Sequence, residues 1–224
     1  MAKLNIVGIG PGNADYVTPI ARKIVSEAQI VIGAQRSLNL FNKDLYGETR
    51  ELTAKNLHEL LRYSVESTKK GKNVVILSTG DPGFSGLLRS ILNTNLITPS
   101  EINVVPGISA IQACAAKLSL CWEEVGLFTF HQGNISATKK AELLACLKTG
   151  KNVMLLPDSK IFSPKKIATY LIESSLDPNT SVFICENLTL DNEKITESTL
   201  EEVSITDFGT LCVMVIKTKQ EEHI

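Results

Sequence analysis

The segment 74–86 constrains the fold more than any other stretch of the chain. It begins with four consecutive apolar residues, 74–77, which lie between Asn73 and Ser78, and this pattern is typical of a buried parallel strand. A polar turn rich in glycine and proline follows, and leucine and isoleucine then recur at helical spacing from Leu87. This succession predicts an α/β fold in which ligands bind at the carboxyl ends of the strands.

The turn 79–83 has two interpretations. Gly80 and Gly83 would allow the backbone to approach a ligand closely, because neither residue has a Cβ. Alternatively, Asp81 would cap the following helix, with Pro82 at the first helical position. A capping role does not exclude a ligand contact, so both interpretations stay open at this point.

Other predicted strands of the N-terminal half also end in turns rich in glycine or proline. Strand 4–9 ends within the cluster 8–12, and strand 102–105 runs directly into the turn 106–110. Three such strand ends are what a shared ligand crevice in an open α/β sheet requires. The predicted strands cover residues 4–9, 29–33, 74–77, 102–105, 125–130, 153–156, 181–185 and 211–216.

A domain boundary is expected at residues 118–124, where the apolar periodicity lapses and polar residues surround Trp122. The pattern of strands and helices then resumes at residue 125. We therefore predict an N-terminal α/β domain over residues 1–118 and a C-terminal α/β domain over residues 119–224.

Composition excludes several classes of protein. A net charge of −1 argues against a nucleic-acid-binding protein. The five cysteines form no CxxC pair, and buried, reduced thiols in a cytoplasmic protein are expected. Neither a signal peptide nor a transmembrane segment is indicated. Four of the cysteines lie in apolar runs: Cys114, Cys146, Cys185 and Cys212.

Dinucleotide and metal chemistry are poorly supported. The cluster 8–12 falls short of a dinucleotide-binding fingerprint, because Asn13 stands where the third glycine belongs and strand 29–33 ends in Gly33 rather than in an acidic residue. His58 has no histidine or cysteine partner at helical spacing, so no metal site is predicted. His131 follows a predicted strand, where it would either face a cleft or be satisfied by backbone.

The ordered set of turns is more informative than any one of them. In their order and intervals they resemble the tetrapyrrole methylase family, and the resemblance spans nearly the whole chain. Segments 33–38 (Gly-Ala-Gln-Arg-Ser-Leu) and 186–189 (Glu-Asn-Leu-Thr) are similar to the branch that methylates C5 of precorrin-6Y or cobalt-precorrin-7. The turns read Val7-Gly-Ile-Gly-Pro-Gly12, Ser78-Thr-Gly-Asp-Pro-Gly-Phe84 and Val104-Val-Pro-Gly-Ile-Ser-Ala110.

This resemblance implies two α/β domains with a cofactor cleft between them, and an S-adenosylmethionine-dependent C-methyltransferase that acts on a corrin-ring precursor in cobalamin biosynthesis. It also implies a homodimer. Methylation of a different ring carbon, a NAD-dependent reductase and a non-catalytic tetrapyrrole-binding protein are the alternatives. The residues that the resemblance places against the cofactor are Pro11, Thr79, Gly80, Asp81, Phe84, Ser109, Ala110, Leu156 and Leu188.

The tetrapyrrole substrate would carry several carboxylates, which basic side chains should hold. Arg36 is the first candidate because it follows a strand end, and Arg89 is the second. The branch usually shows a Ser-x-His-Gly-Arg run where this chain has residues 129–134; His131 is kept but the arginine is missing. No nucleophile or metal is required for methyl transfer, and His131 is a candidate acceptor for the proton that the ring must lose.

Overall fold

Strands and helices alternate through two units, Met1–Ser109 and Ala110–Ile224. The structure is a computed structural model that describes residues 3–131 and 135–218. Each unit contains a five-stranded sheet with helices packed on it. The predicted α/β fold with two domains is therefore confirmed.

The first unit is built on a parallel sheet with the strand order β3-β2-β4-β1-β5. All five residues of β4 are buried, as expected for a strand that is paired on both edges and covered on both faces. The elements are β1 Leu4–Gly8, α1 Pro19–Ser26, β2 Ile30–Gly33, α2 Gln35–Asn39, β3 Glu48–Glu51, α3 Leu57–Lys69, β4 Val74–Ser78, α4 Leu87–Leu92 and β5 Ile102–Val105.

Helices cover both faces of this sheet. Successive side chains of a strand point to opposite faces, so Ile30 and Ile32 of β2 pack with α3 and α4, whereas Val31 packs with α1 and α2. Since β1 lies between β4 and β5 and all three strands are parallel, their carboxyl ends lie at one edge of the sheet.

The second unit has a mixed sheet with the strand order β6-β7-β10-β8-β9. Strands β6 and β7 are parallel, and the other neighbouring pairs are antiparallel. The elements are α5 Ala110–Lys117, β6 Gly126–Thr129, α6 Ala137–Lys148, β7 Val153–Leu156, α7 Pro164–Glu173, β8 Ser181–Glu186, β9 Lys194–Thr199, α8 Leu200–Ile205 and β10 Cys212–Lys217.

The two units divide after Ser109, whereas the sequence predicts a boundary after residue 118. The difference is helix α5, which packs on β7 and β10 and so belongs to the second unit. Its small apolar residues follow the predicted strand 102–105 without a break in composition, and for that reason the sequence pattern assigns them to the first domain.

All five cysteines are free thiols. Cys114 and Cys185 are fully buried, as predicted, whereas Cys146 and Cys212 are half-buried and Cys121 is exposed. Desolvation, with a smaller contribution from Glu186, raises the pKa of Cys212 to about 12. That thiol is therefore protonated and unreactive at neutral pH.

Within residues 3–131 and 135–218, none of the helices combines the length and the apolar character that a bilayer crossing requires.

Candidate functional site

The turns after β1 and β4 are joined by main-chain hydrogen bonds. The amide of Gly80 donates to the carbonyl of Gly10 at 2.8 Å, and the amide of Ile9 donates to the carbonyl of Ser78 at 3.1 Å. Gly10 has a φ of +81° and Gly80 a φ of +69°, a left-handed conformation that glycine adopts without steric cost. The two glycines thus allow these turns to pair directly.

The turn after β5 packs against the same place. A Cβ added to Gly8 would lie 2.5 Å from the Gly107 nitrogen and 2.8 Å from the Gly80 carbonyl oxygen. All of these neighbours are main-chain atoms, so only glycine fits at position 8. The structure therefore brings the three glycine-bearing turns together, as their positions after neighbouring parallel strands predict.

Asp81 links two of these turns. Its Oδ1 accepts a hydrogen bond from the amide of Gly83 at 2.8 Å, and its Oδ2 accepts one from the amide of Gly107 at 3.1 Å. Since Gly107 lies in the turn after β5, this half-buried carboxylate fixes the β4 turn against the β5 turn.

The prediction that Asp81 caps the next helix is wrong. Helix α4 begins at Leu87, whose amide donates to the Oγ of Ser78 at 3.2 Å, and Gly86 is the N-cap residue. Pro82 is accordingly not the first helical residue. The chain continues as a loop beyond the proline, with Ser85 in a left-handed conformation at a φ of 59°, so the helix starts well after the carboxylate.

Arg36 lies beside the β4 turn. It belongs to helix α2, directly after β2, and its Nη2 donates to the Oγ1 of Thr79 at 3.4 Å. Both side chains are exposed. Arg89, the second candidate for holding the substrate, is exposed on α4, the helix that follows the β4 turn. The structure thus places both arginines near the ends of neighbouring strands.

The remaining predicted cofactor residues of the first unit lie around these turns. Pro11 follows Gly10 directly and is half-buried, as is Phe84 in the loop after Asp81. Ser109 is buried, with 7% of its surface exposed, and its Cα would lie 3.6 Å from a Cβ added to Gly80. The first unit therefore gathers its share of the predicted residues in one place.

In the second unit the predicted residues lie at the ends of β7 and β8 and at the start of α5. Leu156 is the last residue of β7 and is half-buried, and Leu188 is buried in the turn after β8. Ala110 is the first residue of α5 and is half-buried.

His131 is exposed just after β6, whose last residue, Thr129, pairs with Leu156. The amide of His131 donates to the Oγ1 of Thr129 at 3.3 Å. His131 and Leu156 therefore lie at the same edge of the second sheet. Residues 132–134, where this chain departs from the Ser-x-His-Gly-Arg run, lie outside the described residues.

Two contacts of the predicted cofactor-binding segments, one in each unit, involve side chains to which the sequence patterns assign no role. The hydroxyl of Ser78 accepts a hydrogen bond from the amide of Leu87, the first residue of α4. The carboxylate of Glu193 accepts one from the amide of Thr189, in the turn that contains Leu188. A serine at a strand end before a helix is a weak signal for the first contact; no sequence signal identifies the second.

Within the described residues, no group of three or more histidine, cysteine, aspartate and glutamate side chains could hold a metal ion. The chemical groups at the three turns are main-chain amides and carbonyls, the Thr79 and Ser109 hydroxyls, the Asp81 carboxylate and the half-buried Phe84 ring. Such a set suits a polar organic ligand that needs both hydrogen bonds and apolar contacts.

Comparison with known proteins finds similar sequences over most of the chain. The family model for tetrapyrrole (corrin/porphyrin) methylases matches residues 3–204. A probable cobalt-precorrin-7 C(5)-methyltransferase of Methanocaldococcus jannaschii is 40% identical over 218 residues, which cover 96% of this chain and 98% of that protein.

Solved structures share the fold over nearly the full length. The precorrin-6Y methylase of Archaeoglobus fulgidus superposes with a TM-score of 0.73 at 24% identity, covering 97% of this chain and 99% of that one. A uroporphyrin-III C-methyltransferase of Thermus thermophilus, solved with S-adenosylhomocysteine, superposes with a TM-score of 0.74 at 18% identity, covering 96% and 92%.

Proposed function

The chain belongs to the tetrapyrrole (corrin/porphyrin) methylase family, and on that premise we propose that it transfers a methyl group from S-adenosylmethionine to C5 of a corrin-ring precursor in cobalamin biosynthesis. The substrate is cobalt-precorrin-7 or the precorrin-6Y equivalent. The observation that carries the proposal is the 40% identity to a probable C(5)-methyltransferase over 96% of this chain.

The three turns fit the cofactor. A Cβ on Gly80 would have only the Cα of Ser109 within 4 Å, at 3.6 Å, so a small space remains beside Gly80 although the residue itself is buried. Main-chain groups of the three turns would bind the polar parts of S-adenosylmethionine, and Phe84 would supply an apolar wall. The proposed contacts are those that the family resemblance implies: Pro11, Thr79, Gly80, Asp81, Phe84, Ser109, Ala110, Leu156 and Leu188.

S-adenosylmethionine supplies an activated methyl group on a sulfonium, so the protein needs no nucleophile of its own. The work of this chain is to orient the ring carbon in line with the methyl group and to exclude water. Such positioning contributes roughly 7–11 kcal/mol to lowering a barrier. Arg36 and Arg89 would hold carboxylates of the macrocycle, and His131 would accept the proton that leaves the ring.

The test is calorimetry with S-adenosylhomocysteine, followed by mass analysis of an incubation with the cobalt-precorrin substrate. We expect micromolar binding of S-adenosylhomocysteine and a product heavier by one methylene. Fragmentation would locate the added methyl group, and a product methylated at another carbon would favour a methylase of a different ring position. Binding of the ring without formation of S-adenosylhomocysteine would favour a carrier. The absence of cofactor binding at millimolar concentration would overturn the proposal.

A NAD-dependent reductase is the less favoured alternative. Strand β2 ends at Gly33 and is followed by Ala34, so no carboxylate stands where a dinucleotide-binding protein grips the ribose. An increase of the melting temperature with NADH, and none with S-adenosylhomocysteine, would favour the reductase.

We further propose, from the family resemblance, that the protein is a homodimer in the cytoplasm. The free thiols of Cys114 and Cys185 are compatible with a reducing compartment. Light scattering after size-exclusion chromatography would give the mass, and a mass of one chain would contradict the dimer.

Replacement of Arg36 by alanine should raise the KM for the tetrapyrrole about tenfold, because a charge-assisted hydrogen bond to a substrate carboxylate is lost. The affinity for S-adenosylhomocysteine should stay the same, since the 3.4 Å bond to Thr79 is long and exposed. Steady-state kinetics and calorimetry measure the two effects. Arg62→Ala, which removes an exposed arginine of α3, is the control, and a defect confined to the cofactor would contradict the placement of Arg36.

Replacement of His131 by alanine should lower kcat about tenfold with little change in KM, if the imidazole accepts the ring proton. General base catalysis typically contributes about 10²–10⁴-fold, but His131 is exposed, so water would accept the proton in part and the expected loss is smaller. The control is His58→Ala, which removes an exposed histidine of α3. An unchanged kcat in His131→Ala would remove the proposed role.

A further inference from the structure

The turn after β8 has a left-handed residue on each side of Leu188, and it is strained at Thr189. Asn187 has a φ of 51° and Thr189 a φ of 68°, values in the left-handed region that residues with a Cβ rarely adopt. For Thr189, which is β-branched, this conformation is a genuine outlier. Such strain persists only where surrounding contacts hold it, and it is concentrated at ligand-binding segments.

Glu193 supplies the contact that holds this turn. Its Oε2 accepts a hydrogen bond from the amide of Thr189 at 2.7 Å, and its Oε1 lies 2.7 Å from the Nζ of Lys117. The Glu193 side chain is only 19% exposed, compared with 43% for Lys117. The hydrogen bond from Lys117, followed by that from the Thr189 amide, lowers the pKa of Glu193, so the carboxylate is charged at neutral pH.

The other side of the turn is anchored by main-chain contacts. The amide of Asn187 donates to the carbonyl of Leu211 at 2.9 Å, next to the start of β10, and the amide of Leu190 donates to the carbonyl of Asn187 at 3.0 Å. The Nδ2 of Asn187 also donates to the carbonyl of Asn192, at 3.5 Å, so the contact of Glu193 with the Thr189 amide is the shorter of these two side-chain contacts. Leu188, between the two anchors, is 6% exposed.

We propose that Glu193 is a positioning residue, which locks the strained turn 187–189 and so sets Leu188 in place for the cofactor, and that Lys117 acts through Glu193. The inference rests on the proposed function, in which Leu188 contacts S-adenosylmethionine. Lys117 ends the helix that Ala110 begins. The ion pair therefore connects two segments of the second unit that carry proposed cofactor contacts.

The test compares Glu193→Ala, Lys117→Met and Lys117→Arg by calorimetry with S-adenosylhomocysteine. Glu193→Ala should weaken binding about tenfold, because both contacts are lost. Lys117→Met should weaken it about threefold, because the Thr189 bond remains, and Lys117→Arg should bind like the wild type. Lys165→Met, which breaks the exposed 3.5 Å pair with Asp207 in the same unit, is the matched control and should have no effect.

Hydrogen exchange separates positioning from general destabilisation. In Glu193→Ala we expect faster exchange in the peptide 187–193, with unchanged exchange in β8 and β10. If Glu193→Ala fails to fold, the difference in cofactor affinity between Lys117→Met and Lys117→Arg tests the inference instead. The Lys117 side chain is partly exposed, so both of these variants should fold.

The outcomes distinguish this inference from the proposed function. If the wild type binds S-adenosylhomocysteine and Glu193→Ala binds it with an affinity within twofold of the wild type, the inference is overturned and the proposed function stands. An equal loss of affinity in Lys165→Met would also overturn the inference. Failure of the wild-type protein to bind S-adenosylhomocysteine would overturn the proposed function, and this inference with it.

Discussion

Replacement of Gly8 by alanine is expected to abolish cofactor binding. The added Cβ would lie 2.5 Å from the nitrogen and 2.7 Å from the Cα of Gly107, closer than non-bonded carbon and nitrogen atoms approach. No side chain is available to move aside, because these neighbours belong to the main chain. The end of β1 or the turn after β5 must therefore shift, and the proposed cofactor contacts shift with it.

We expect the affinity for S-adenosylhomocysteine to fall more than hundredfold, and the free energy of unfolding to fall by about 1–3 kcal/mol, the usual range for an overpacked site. Calorimetry and denaturant unfolding measure the two quantities. Gly71→Ala is the control, since Gly71 has a φ of +84° but nothing within 4 Å of an added Cβ. It should lose stability and keep its affinity. Binding of Gly8→Ala within threefold of the wild type would show that the three turns do not form the cofactor site.

The strands that organise the first unit could be predicted because their apolar runs are buried on both faces. The run 74–77 has no polar residue, and Ser78 and Thr79 separate it from Gly80 and Pro82, so length and flanking residues identify β4. Strand β2, Ile30–Gly33, is likewise apolar and fully buried, whereas β1 and β5 each contain one asparagine and are identified by the glycine- or proline-rich turns that follow them. Burial of a whole strand leaves a continuous apolar pattern that sequence reasoning recognises.

Two of the edge strands, β3 and β9, could not be predicted, because they lack such an apolar run. Strand β3, Glu48–Glu51, and strand β9, Lys194–Thr199, are mostly polar because each is paired on one edge and largely exposed. Strand β3 is stabilised by contacts between side chains instead. The Nε of Arg50 lies 2.6 Å from Glu48, and the guanidinium lies 3.9 Å above the Tyr63 ring. Charged side chains on an edge also discourage pairing with another sheet.

The site was predictable in its general position but not in its bonding. Three turns after neighbouring strands must lie at one edge of a parallel sheet, and the sequence places them there. The hydrogen bond from Gly107 to Asp81 joins residues in different turns, whereas local patterns report only near neighbours. The local pattern around Asp81 favours a helix cap, and the structure uses the carboxylate to link two loops instead.

Replacement of Asp81 by alanine should weaken S-adenosylhomocysteine binding about hundredfold. Two hydrogen bonds to a charged acceptor are lost, from Gly83 at 2.8 Å and from Gly107 at 3.1 Å, and bonds of this kind contribute about 1.5–3 kcal/mol each. Without them the turn after β4 is released from the turn after β5, and the proposed contacts on both turns are displaced. Calorimetry measures the affinity, and thermal unfolding measures the accompanying loss of stability.

Two further variants separate the link between the turns from the local turn at Asp81. Asp81→Asn keeps an oxygen for Gly83 but turns an amide donor toward the Gly107 amide, so it should bind almost as weakly as Asp81→Ala. The control is Asp177→Ala, because Asp177 accepts the amide of Asn179 at 2.9 Å in an exposed loop of the second unit. It removes the same kind of local bond and should leave affinity unchanged. If Asp81→Asn bound like the wild type, the bond to Gly107 would have no part in forming the site, since only the local bond to Gly83 would then be needed.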